Sequence, residues 1–174
     1  MKHARNLLAL AVAGLLATSG MAMTKEEHKA AGDRISADYK AAKAKCDGMT
    51  GNAKDVCQKE AKGNEKIAKA ELQAQYKPSD KNTYKVAEAR ADAAYDVAKE
   101  KCDDLQGDAK NVCQKDAKAA HVKAKEDAKV AEVKKDAAEE KREADYKAAK
   151  ERCDTMSGDA KDKCVADAKR MYNQ

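Results

Sequence analysis

Apolar residues along this chain recur at steps of three and four, and most of them are alanine. One series runs Tyr84, Ala87, Ala91, Tyr95, Ala98, Cys102 and Leu105. A longer one runs Cys113, Ala117, Ala120, Ala124, Ala128, Ala131, Lys135, Ala138, Arg142, Tyr146, Ala149, Cys153 and Met156. Its mean step is about 3.6, so the stripe stays on one side of a straight helix. Neither Gly nor Pro occurs between Asp108 and Asp154, which predicts one helix of about 46 residues, ~70 Å long. Cys113 and Cys153 differ in direction by only ~40° at the helical period. The preceding and following helices are therefore expected end to end along one side of the long helix, with Lys135 and Arg142 hydrated where the two would meet.

The other boundaries follow from caps and breakers. Thr24-Lys25-Glu26-Glu27 fits a capping box and starts a helix that runs to about Cys46 or Asp47. Gly48, Thr50 and Gly51 make a turn, and Pro78 ends the second helix. A third helix is predicted over 81–104 and a last one over 159–172. Asn52, Asp108 and Asp159 follow a glycine at matching places and are expected to serve as N-caps. The fold class is thus all-α: about five helices arranged as elongated hairpins.

Three copies of one motif mark the hairpin ends. Cys46 to Cys57, Cys102 to Cys113 and Cys153 to Cys164 each enclose ten residues with a shared Gly-[Asn/Asp]-Ala-Lys segment. The repeats extend over about 37–62, 93–118 and 144–169. Within each, the cysteines are nearly symmetric about the turn, one in the last turn of the incoming helix and one in the second turn of the outgoing helix. The expected disulfides are Cys46–Cys57, Cys102–Cys113 and Cys153–Cys164, one of the fifteen pairings open to six cysteines. Closing loops this short contributes about 2–3 kcal/mol each on the entropic account.

Composition makes those staples matter. Trp and Phe are absent and there is a single Pro. Alanine seams bury little area at ~25 cal/mol per Å², so the fold is marginal without cross-links. Lys2, His3 and Arg5 precede an apolar run from Leu7 to Ala17, and Gly20-Met21-Ala22 fits a cleavage pattern. Residues 1–22 therefore read as a signal peptide, the run being too short for a span of ~20 residues. Residues 23–174 form the single elongated helical region, with no transmembrane segment expected after cleavage. Export leads to an oxidising compartment, where paired cysteines form disulfides. Removing 1–22 takes the net charge from +5 to +3.

Candidate chemistry is sparse. His28 and His121 are the two histidines beyond residue 22, outside the cysteine motifs, and no nucleophile–base–acid set or phosphate loop accompanies them. No catalytic residue, metal site or cofactor is expected, and without a Cys-x-x-Cys pair no redox role. Met49, Leu105 and Met156 occupy equivalent turn positions, which reads as an apolar plug. Acids interleave with bases, as in Glu126 with Lys129 and Glu132 with Lys135, a pattern without the basic block of a sequence-specific nucleic-acid binder. Tyr39, Tyr95 and Tyr146 lie seven residues before their cysteines. They fill the core or face a partner.

The segments Met23-Thr24-Lys25-Glu26-Glu27-His28-Lys29-Ala30 and Gln75-Tyr76-Lys77-Pro78-Ser79, with the three cysteine motifs, carry a resemblance. The chain resembles small exported proteins of Gram-negative bacteria labelled cell envelope biogenesis protein TolA or TolA-like. The resemblance implies a periplasmic location. TolA proper adds an uncleaved anchor and a C-terminal α/β domain, and the bridging work of those parts is not among its implications here. The expected function is a non-enzymatic envelope spacer, scaffold or stress-associated module with an envelope protein as partner. The alternative is a module that binds polyanions or metals.

Overall fold

The structure, a computed structural model, describes residues 23–174. The expected signal peptide lies outside the described residues. Five helices follow in order: α1 (Lys25–Cys46), α2 (Gly51–Tyr76), α3 (Asp80–Lys101), α4 (Gly107–Asp154) and α5 (Gly158–Tyr172), with a 3₁₀ turn at Cys102–Asp104. Thr24 closes the expected capping box. Its hydroxyl accepts from Glu27 N–H at 3.1 Å, and its own N–H donates to the Glu27 carboxylate at 2.8 Å. Pro78 stands in the break between α2 and α3, where Ser79 caps α3 by accepting from Asn82 N–H.

Substantial packing is confined to sequence neighbours: α1 on α2, α2 on α3, α3 on α4, and α4 on α5. The result is an open up-and-down meander and not a closed bundle. At 48 residues, α4 outruns the 22 to 26 residues of α1, α2 and α3. It carries α3 on its first half and α5 near its far end. Its side chains 133–144 are all exposed; Lys135 still reaches Asp80 at the start of α3, and beyond it a length of single helix, Arg142 within it, separates the two supported parts. In this stretch and at its edges, charges pair along the helix itself: Lys129 with Glu132, Arg142 with Glu139, Lys141 with Asp145 and Lys147 with Glu143.

The core is thin. Among the described residues the only fully buried side chains of any size are Cys46, Cys102 and Cys153, and Leu72 is the one buried large aliphatic. The three expected disulfides are present, with Cα atoms 5.6–5.7 Å apart. In effect the cysteines are the core of each hairpin end.

Three expectations are corrected. Asn52, Asp108 and Asp159 do not cap. Thr50, Gln106 and Ser157 occupy the N-cap in extended conformation and accept no cap bond from their side chains. Gly51, Gly107 and Gly158 follow at φ 58°, 54° and 57°, a left-handed turn that feeds the chain directly into the helix. The covered face of α4 is also rotated by about one residue. Cys113, Ala117, His121, Lys125, Ala128 and Glu132 are half-buried, while Ala120, Ala124 and Ala131 are exposed. Acids on α3 decide this, because Asp92, Glu88 and Asp80 take His121, Lys125 and Lys135. Finally, Glu126–Lys129 and Glu132–Lys135 do not pair as expected, since Lys129 turns to Glu132 and Lys135 to Asp80.

Candidate functional site

The repeated hairpin end is the most specific local structure in the chain. In each copy the residue three after the first cysteine donates its N–H back to that cysteine's carbonyl. The bonds are Met49 to Cys46 at 3.0 Å, Leu105 to Cys102 at 3.1 Å and Met156 to Cys153 at 3.0 Å. An extended residue and the left-handed glycine then reverse the chain. This geometry points the side chain of the third residue outward. Met49, Leu105 and Met156 are 44%, 41% and 47% exposed, so the expected apolar plug is instead an apolar cap on each tip.

Two tips also carry an ion pair that the spacing alone did not reveal. Asp103 meets Lys110 at 2.9 Å, and Asp154 meets Lys161 at 2.9 Å. Each lysine holds its partner carboxyl below the usual carboxylate range. The signal was in the motif, since every copy has Asp after its first cysteine and Lys seven residues later. In the first copy Asn52 does something different. Its side-chain amide donates to the Glu100 carbonyl at 2.9 Å and ties the first tip to the end of α3. The first two tips therefore sit together at one end of the molecule, and the third lies at the other end of α4.

The three tyrosines are all half-buried in seams. Tyr39 lines a small cleft between α1 and α2 with Ile35, Ala42 and Ala61. Tyr95 stacks on His121, ring centroids 4.8 Å apart and planes 18° apart. Tyr146 meets Tyr172 of α5 at 6.4 Å. Each thus fills the hairpin about two turns below its disulfide.

The densest polar cluster lies between α3 and α4. His121 Nε2 is 2.6 Å from Asp92 Oδ1, and Lys125 Nζ is 2.7 Å from Glu88 and 3.9 Å from Asp92. Glu88 holds the Lys125 ammonium above its ordinary value. The arrangement pins two helices together, a hydrogen bond joining His121 to Asp92 and ion pairs joining Lys125 to Glu88 and Asp92. All six cysteines are in disulfides. Among the described residues no group of three or more His, Cys, Asp or Glu side chains converges to hold a metal ion. No described helix is long and apolar enough to cross a membrane.

A second contact escaped the sequence reading. Gly63 is buried in the middle of α2, and a Cβ there would stand 2.8 Å from Ala93 Cβ on α3. The glycine lets two helices approach closely. Around it, Lys59–Glu100, Lys66–Asp96, Arg90–Glu71 and Lys101–Glu60 bridge the same seam. A glycine inside a helix pattern was the available clue.

No protein-family model, curated protein or solved structure matches the chain.

Proposed function

We propose that this chain is a non-enzymatic spacer or scaffold of the bacterial cell envelope, exported to the periplasm. The observation that carries the reading is a single 48-residue helix with disulfide-stapled hairpins at both ends. Cys113 and Cys153 lie ~60 Å apart along it. Three disulfides in so thin a core fit an oxidising compartment, in accord with the export signal read at residues 1–22 and with the envelope resemblance. The exposed apolar caps at both ends give an envelope partner something to grip, and the bare middle of α4 sets the distance between the grips.

The test is cross-linking in living cells from the two ends separately. A photo-reactive side chain replaces Met49 in one variant and Met156 in another. The reading expects oxidised cysteines, a periplasmic location and envelope adducts from each end. A cytoplasmic protein with reduced cysteines, or a purified chain that turns over a substrate, would end it.

A further inference from the structure

We propose that the second hairpin binds a phosphate-bearing sugar on the flank where α3 meets α4. The proposal stands independently of the spacer reading. A shallow cavity of about 690 Å³ opens there, lined by Tyr95, Asn111, Gln114, Lys115, Lys118 and Ala119. Its size suits a small ligand. Among the described residues neither Lys115 nor Lys118 has an ion-pair partner within the chain, whereas Lys110, Lys125 and Lys135 of the same helix each hold an acid. No acid stands three or four residues from Lys115 or Lys118, so the helix itself does not neutralise them. The neighbouring acids are engaged or distant. Asp103 holds Lys110 at 2.9 Å and accepts a hydrogen bond from Gln114 at 3.5 Å. Asp92 meets His121. Asp108 lies one turn before Asn111, ~15 Å along the axis from Lys118.

The three copies of the motif differ at this place. Asn111 stands where the first and third copies carry Asp55 and Asp162. Lys115 corresponds to Lys59, which is drawn to Glu100 at 3.4 Å, and to Ala166. Gln114 corresponds to Gln58 and Val165. The second copy thus sets two unengaged lysines beside two side-chain amides, with an amide in place of the carboxylate. The ligand follows from that set. Lysine ammoniums donate and do not accept, so they call for an anion. The amides of Asn111 and Gln114 both donate and accept, which suits hydroxyl groups. Tyr95, stacked on His121 with ring centroids 4.8 Å apart, adds apolar ring surface for the C–H face of a sugar. A bare phosphate would leave the amides and the ring unused. The anion belongs at the Lys115 and Lys118 end, away from Asp108.

Heteronuclear NMR titration of the chain from Met23 onward with glucosyl phosphate tests the site. Shifts are expected in the side-chain amides of Asn111 and Gln114, with a Kd of about 0.1–1 mM. Lys118→Glu should weaken binding about tenfold with helicity unchanged. Asn111→Asp, which restores the acid of the other two copies, should weaken it about threefold. Lys134→Glu reverses an exposed lysine outside the cavity and should leave binding within about twofold of wild type. Glucose alone and inorganic phosphate alone should each bind about tenfold more weakly. Flotation with phosphatidylinositol vesicles, abolished by Lys118→Glu, would assign the sugar phosphate to a lipid headgroup. Soluble binding without flotation would assign it to a free sugar phosphate. Unmoved amides, an equal loss in Lys134→Glu, or inorganic phosphate binding as tightly as glucosyl phosphate would overturn the proposal.

Discussion

At the scale of single residues, glycine does more here than its helix propensity suggests. Gly63→Ala replaces a residue that costs a helix interior about 1 kcal/mol relative to alanine, so propensity alone predicts a gain. The new Cβ would meet Ala93 Cβ at 2.8 Å, and neither atom belongs to a flexible side chain that could swing away. The steric term wins. We expect urea unfolding to show a net loss of about 1–3 kcal/mol, with much of it recovered when Ala93→Gly is added. At the tips the argument is conformational. Gly107 holds φ 54° with open space around it, so Gly107→Ala should cost about 1–2 kcal/mol from backbone strain alone, measured in the same way.

At the scale of the helical element, some features were legible in the sequence and others were not. The capping box named the start of α1, and the absence of Gly and Pro after Asp108 named α4 to within a residue. Equal spacing of the cysteines named the pairing. The face of α4 was harder to read because alanine occupies so many positions that two stripes, offset by one residue, fit the period almost equally well. The choice fell to His121 and Lys125, long polar side chains reaching acids on α3. A hydrophobic pattern does not register such contacts. Gly63 was equally opaque, because its role depends on Ala93, thirty residues away on another helix.

The tip ion pairs make a pH prediction at this scale. Lys110 and Lys161 hold the Asp103 and Asp154 carboxyls below the value of 3.8 expected without them. The folded state therefore binds these protons less readily than the unfolded chain. Their stabilisation is fully present above the unfolded value and is lost as pH falls through the depressed one. A plot of melting temperature against pH should bend downward below about pH 4, and Asp103→Asn with Asp154→Asn should flatten that limb. Melting curves of the double variant in acid and at neutral pH check this.

At the scale of the whole molecule, cross-links stand in for a core. Reduction of three disulfides removes about 2–3 kcal/mol each, which for a chain of this size lowers the melting temperature by about 20 °C or more. The loss should be uneven. Around α5 the buried residues are Ala168 on that helix and Cys153 on α4, so Cys153→Ser with Cys164→Ser should free α5 while α1 to α3 hold. Hydrogen exchange would show rapid exchange confined to α5 and the facing turns of α4. Protection lost throughout the chain would mean that the hairpins are coupled, against their neighbour-only packing.

The central claim is extension: two stapled ends held apart by one bare helix. Small-angle X-ray scattering of the chain from Met23 onward tests it most directly. The account predicts a radius of gyration above about 20 Å, from a rod ~70 Å long. A value near 15 Å, expected for a compact domain of this length, would contradict it.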